Sequence, residues 1–157
     1  MRRLLIAVFA SLLSVALMEP GWSPGSPKVA SAKAKAAKEE KKAKGAGCSA
    51  ATISGTAGNN TLIGMEGADV IRAFAGNDKV YSHGGNDLIC AGPGADLVYA
   101  GSGRDTVIGG AGNDQLTGGP GRDLLKGKSG SDFLNGGASH GDGCEGGAGR
   151  DTLRGCP

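Results

Sequence analysis

Between Gly55 and Arg154 one position in every nine is apolar: Leu62, Ile71, Val80, Ile89, Val98, Val107, Leu116, Leu125, Leu134, Cys144 and Leu153. The spacing is constant except for a one-residue insertion just before Cys144. Around each apolar residue the sequence alternates outward, inward, outward, which predicts a short strand with one buried side chain. The six residues before it are rich in glycine, so they suit a turn with positive φ and close backbone approach. Two such units make one coil of about eighteen residues. Coils then stack as parallel strands about 4.8 Å apart, with the apolar residues of opposite strands meeting in the middle. The predicted class is all-β: a parallel β-roll (a right-handed β-solenoid) of about eleven nine-residue repeats.

Two further ranks run in step with the apolar one. Position four of the unit is glycine from Gly58 to Gly130 and again at Gly149. Position six is aspartate at Asp69, Asp78, Asp87, Asp96, Asp105, Asp114, Asp123, Asp132 and Asp151, with Asn60 in the first unit and Asp142 after the insertion. Alternate units fall on opposite sides of the roll. Asp69, Asp87, Asp105, Asp123 and Asp142 therefore form one ladder, and Asp78, Asp96, Asp114, Asp132 and Asp151 the other. Two unit charges about 5 Å apart repel by roughly 0.8 kcal/mol even in bulk water, and by more near a protein surface. Such a ladder requires a cation between its rungs. Carboxylates and turn carbonyls are all-oxygen donors, and no histidine or cysteine recurs with the repeat. That donor set, in a flexible frame, suits calcium better than magnesium, which holds its waters and demands a strict octahedron. With one small aliphatic side chain per nine residues, the roll has little core of its own, so the ion is expected to drive folding.

The units resemble the haemolysin-type (RTX) calcium-binding nonapeptide repeat, G-G-x-G-x-D-x-U-x with U a large apolar residue. Gly109 to Thr117, Gly118 to Lys126 and Gly146 to Arg154 fit that pattern throughout. The resemblance implies a calcium-bound parallel β-roll with ions between turns two units apart, so that Asp69 pairs with Asp87 and Asp78 with Asp96, and so on up both ladders. It also implies backbone carbonyls completing each site, with about six to eight ions as a geometric ceiling. Asn60 offers a neutral oxygen, which predicts a weak site or a cap at the first turn. Ala73-Phe74 and Ser82-His83 replace the opening glycine pair, which predicts altered turn geometry there. Of the family's members, the chain looks most like the small, disulfide-capped, exported repeat proteins of bacteria.

Composition narrows the remainder. The chain has 157 residues with 31 glycines, 6 prolines and 6 aromatic residues, which excludes both collagen and an ordinary compact core. Residues 1–47 carry 9 basic and 3 acidic side chains, and residues 48–157 carry 8 and 12. Met1-Arg2-Arg3 followed by the uncharged run Leu4 to Met18 predicts a signal peptide over 1–32, with Ala30-Ser31-Ala32 as the cleavage pattern and Gly21 or Ser23 as alternatives. Residues 33–47 read as a Lys/Ala-rich tether without an apolar stripe. Its lysines also suit an acidic cell-wall or surface polymer. The roll then spans 48–157. Export leads to a secreted, extracellular protein with no membrane span after cleavage, and nothing points to nucleic acid. Cys48, Cys90, Cys144 and Cys156 are an even set whose spacing matches no zinc knuckle. Of the three pairings open to them, Cys48–Cys90 with Cys144–Cys156 ties down both ends of the array.

Catalysis is not expected. His83 and His140 both fall in turn positions, and no Ser-His-Asp elbow, HExxH helix or phosphate loop is present. A calcium-dependent adhesion or interaction module is the alternative to simple calcium binding. An ice-binding face would need uniform outward threonines, and the outward positions here are mixed.

Overall fold

The structure, a computed structural model, describes residues 28–30 and 47–157. The expected signal peptide and tether otherwise lie outside the described residues. A first short strand, β1 (Lys28–Ala30), pairs in parallel with β3 (Asn60–Ile63). The stack of β3 then continues through β5 (Lys79–Tyr81), β7 (Leu97–Tyr99), β9 (Gln115–Thr117), β11 (Phe133–Asn135) and β13 (Thr152–Arg154). The opposite sheet runs from β2 (Ile53–Thr56) through β4 (Val70–Phe74), β6 (Leu88–Pro93), β8 (Thr106–Ala111) and β10 (Leu124–Ser129) to β12 (Gly143–Ala148). Every pairing is parallel. The β-solenoid therefore has about six coils, with the expected eighteen-residue step: Leu62 lies beside Val80, and Val80 beside Val98.

The apolar rank forms the core. From Leu62 to Leu134 all nine of its members are fully buried. Two details differ from the sequence expectation. Ile53, ahead of the first nine-residue unit, is also buried and pairs with Ile71, so a half-coil without the glycine-aspartate signature opens the roll. At the other end Leu153, on the terminal strand β13, is 48% exposed. Cys144 is only half-buried and packs against the core from its edge.

The core also has a second rank that the apolar pattern does not display. Position one of each unit is Gly, Ala or Ser, and Ala73, Ala91 and Ala100 are as buried as the aliphatic residues. The two sheets differ in strand length: β6, β8, β10 and β12 each cover six residues, against three in β5, β7, β9, β11 and β13. The expected strand of three residues per unit thus holds for one face, whereas on the other the chain stays extended into the next unit.

Turn chemistry follows the glycines. Position four has positive φ from Gly67 to Gly130 and again at Gly149. At Gly121 (φ 146°) an added Cβ would overlap the backbone carbonyl of Gly103 in the preceding coil, so the stack tolerates no side chain there. Position two varies from unit to unit: an added Cβ at Gly92 would overlap the Phe74 carbonyl, yet three other units carry a side chain there. Phe74, His83 and Lys128 hold φ of 78°, 73° and 86° in place of glycine. The altered turns expected at Ala73-Phe74 and Ser82-His83 therefore keep the glycine geometry, with some backbone strain. The Arg72 guanidinium lies 4.3 Å from the centre of the Phe74 ring, a cation–π contact that helps hold this turn.

Both ends are cross-linked. Cys48 is bonded to Cys90 and Cys144 to Cys156. The first bridge fastens a 3-10 turn (Gly47–Ala50) onto β4 and β6, covering the start of the roll.

Gly121→Ala should destabilise the calcium-loaded protein by at least about 3 kcal/mol, through strain and backbone overlap. Gly58→Ala should be near neutral, since no atom lies within 4 Å of its added Cβ. Leu134→Ala should cost about 2–5 kcal/mol and Leu153→Ala much less. Thermal unfolding in calcium measures all four.

Candidate metal centre

Each position-six aspartate sits where the turn enters a strand, and the parallel register brings the aspartates of successive coils into line. The structure forms both expected ladders. From Asp69 to Asp142 the nine aspartates are all buried, at 5% exposure or less, while Asp151 at the final coil is half-buried.

The two carboxylate oxygens have different environments. Oδ1 accepts the backbone N–H of the ladder residue one coil earlier: Asp69 N–H to Asp87 at 2.8 Å, Asp78 to Asp96 at 2.8 Å, Asp105 to Asp123 at 2.9 Å. Asp142 joins on the same terms, accepting from Asp123 at 2.8 Å, so the insertion is absorbed without breaking the ladder. Asp151 accepts from Asp132 at 3.0 Å. Asn60 heads its ladder by donating its N–H to Asp78 at 2.7 Å, while its own Oδ1 accepts the N–H of Thr56. It caps the stack, as its neutral side chain suggested.

Oδ2 has the opposite environment. In Asp78, Asp87, Asp96, Asp105, Asp114, Asp123, Asp132 and Asp142 it is buried and has no hydrogen-bond partner. Asp69 is different, because its Oδ2 accepts the N–H of Met65 at 2.8 Å. A buried carboxylate oxygen without a partner is costly. The surroundings of these atoms are again oxygen. At Gly127 an added Cβ would meet both Asp132 Oδ2 and the Gly146 carbonyl oxygen, the latter at 2.6 Å. At Gly136 the same construction finds Asp142 Oδ2 at 2.7 Å and the Gly155 carbonyl at 2.6 Å. Carboxylate and carbonyl oxygens from adjacent coils thus converge beside position one, and only a very small residue leaves that space open. Among the described residues no three His, Cys, Asp or Glu side chains converge. A cation here would be held by one carboxylate rank plus backbone carbonyls, a donor set that fits calcium.

The electrostatics point the same way. Burial pushes the Asp114 carboxyl up to about 7, against the opposing hydrogen bond from Asp96 N–H, with repulsion from Asp96 and Asp132 adding to the rise. Burial likewise raises Asp78 and Asp123 to about 6. Asp87, Asp96 and Asp105 are also raised, mainly by desolvation.

Sequence reasoning found the aspartate rank but missed its burial and the division of labour within each carboxylate. The signal was the restriction of position one to Gly, Ala and Ser. It also missed an outer ladder of opposite polarity, in which Asn77 donates its N–H to Asn59 Oδ1 at 2.8 Å and Arg104 donates its N–H to Asn86 Oδ1 at 2.8 Å.

These shifts have a definite sign. A carboxyl whose pKa is higher folded than unfolded binds more protons in the folded state between the two values, so stability falls as pH rises through that window. Without calcium, the roll should therefore gain stability from about pH 7 down towards pH 4. Calcium affinity should fall over the same interval, with protons released on binding. Circular dichroism in chelator across that range, where strand signal lost at pH 7 should partly return towards pH 4, and calorimetry in buffers of different ionisation enthalpy check the two outcomes.

Comparison with known proteins agrees with this geometry. The pattern for the RTX calcium-binding nonapeptide repeat matches residues 54–89, 91–125 and 117–140, over half of the chain. No curated protein and no solved structure matches it. Nonapeptide repeats of this kind bind calcium. With the glycine turns, the aspartate ladders and the parallel coils in place, the chain belongs to the RTX calcium-binding nonapeptide repeat family.

Proposed function

We propose that the protein is an exported, non-catalytic calcium-binding roll whose repeat region folds when calcium binds between stacked turns. One observation carries this: eight buried Oδ2 atoms stand without partners in two regular ladders. The assigned ligands are Asp78, Asp87, Asp96, Asp105, Asp114, Asp123, Asp132 and Asp142, with turn carbonyls completing each site. Asp69 and Asp151, at the ladder ends, hold weaker sites. Calcium supplies the positive charge that these carboxylates otherwise lack. The chain's own part is to hold each Oδ1 on a backbone N–H, aim Oδ2 between coils and exclude water from both. In the absence of that counter-charge, repulsion and glycine entropy favour the open chain; in its presence, binding free energy becomes folding free energy.

We assign 1–32 to the signal peptide, 33–47 to the tether and 48–157 to the roll. The two disulfides support an oxidising, extracellular destination. Cleavage after Ala32 would remove β1, whereas cleavage near Gly21 or Ser23 would keep it. The non-catalytic assignment is supported by the aspartates, which are bound into ladder hydrogen bonds rather than grouped in a catalytic pair. An adhesion role for the same scaffold is favoured by one feature, the stacked Tyr81 and Tyr99 rings, 5.4 Å apart on the outer face, with Tyr99 and Ile63 exposed.

In a calcium titration followed by circular dichroism, strand signal should rise with calcium, rise far less with magnesium and collapse in chelator. A strand signal insensitive to chelator would refute the proposal. The Asp105→Asn/Asp123→Asn variant should bind fewer calcium ions while its calcium-free form is no less stable than the parent, because the amide oxygen still accepts the ladder N–H without adding charge.

A further inference from the structure

The turns that lead into β8, β10 and β12 carry a second stack of like charges, this one on the outside and positive. Arg104 and Arg122 occupy position five of units one coil apart, and both are exposed. The next coil has Gly141 at that place. Beyond them the strand starts step from Thr106 to Leu124 to Gly143, in register. Where Gly141 and Gly143 remove side chains, an open groove of about 510 Å³ forms between the arginines and this row. That volume suits a ligand of a few rings.

The charge balance in the groove is one-sided. Asp105, Asp123 and Asp142 border it, but each carboxylate is turned inward, at most 3% exposed, with Oδ1 on a backbone N–H. Glu145 lies nearby and is paired with Lys126 at 2.9 Å. Arg122 uses Nε on the Gly141 carbonyl at 3.1 Å, which leaves its terminal nitrogens free and fixes the fork. The Arg104 guanidinium makes no hydrogen bond or ion pair among the described residues. Over the roll as a whole, Glu66 and Glu145 are the exposed acidic side chains among the described residues, against seven exposed Lys and Arg. Once the buried ladders are neutralised, the exterior is cationic, and two guanidinia without ion-pair partners extend from positions one coil apart.

We propose that this groove binds an acidic polysaccharide through carboxylate or sulfate groups held by Arg104 and Arg122, with the sugar rings against Leu124 and the bare backbone at Gly143. The guanidinium fork matches such anions in a bidentate way. The groove has no aromatic side chain on which a nucleic-acid base could stack. Its lining offers Leu124 as the only large apolar side chain, which does not suit a lipid surface. The proposal rests on the calcium-folded state, because the two arginines and the row of strand starts come together only when coils stack.

The test uses the full chain in saturating calcium, with circular dichroism confirming the fold of every variant. Calorimetry against hyaluronan oligosaccharides (carboxylate), chondroitin sulfate oligosaccharides (sulfate and carboxylate) and neutral dextran identifies the group recognised. At least one acidic probe should bind and dextran should not. Arg104→Ala/Arg122→Ala should weaken binding by about tenfold or more. Arg104→Lys/Arg122→Lys should fall between it and the parent, and Lys79→Ala/Arg154→Ala, on the opposite sheet, should bind like the parent. Folded wild-type protein that binds neither acidic probe overturns the proposal. So does a double alanine variant that binds like wild type, which would place binding on the lysines of 33–47. An equal loss from the opposite-sheet variant would show diffuse charge attraction and overturn it too. Lysine variants as tight as wild type would overturn recognition by the fork. In each case an intact calcium-dependent fold leaves the calcium-binding function standing.

Discussion

Everything in this roll is organised around a carboxylate that does two things at once. From Asp87 onward one oxygen of each ladder aspartate accepts the N–H of the aspartate one coil earlier, which locks the step between coils. The other is left buried and unpartnered in eight consecutive rungs. The first oxygen makes stacking specific, and the second stays a buried acceptor whose cost a bound cation would offset. The coil step and the candidate metal position are therefore set by the same side chain.

The core between the sheets is thin. Each interior coil buries two aliphatic residues and very small ones beside them, so little apolar surface lies between the sheets. Here the covalent links stand at the ends, Cys48–Cys90 over the first coils and Cys144–Cys156 over the last, where a solenoid has strands with only one neighbour.

Burying the acidic groups also shapes the exterior. Because the ladders turn inward, the outer surface keeps the basic residues, and the balance of eight Lys and Arg against twelve Asp and Glu over residues 48–157 does not describe what a partner meets. Arg104 and Arg122 stack outside for the same geometric reason that Asp105 and Asp123 stack inside: the parallel register repeats every choice made in one unit two units later.

The nine-residue spacing of Leu62 through Leu134 was enough to determine the coil, its parallel register and the two aspartate ladders, because a strict period leaves a stacked chain only one way to keep its apolar residues together. It was also enough to mark Asn60 as a departure, a weak site or a cap. Only the tertiary structure decided what lies at the boundaries of that period. Ile53 is core although its unit lacks the position-four glycine and the aspartate, and Leu153 is exposed although its unit is complete; both lie on edge strands, so the period does not fix burial at the ends. The same holds within a unit. Which carboxylate oxygen meets an N–H and which is left without a partner depends on the neighbouring coil, and no single repeat carries that information.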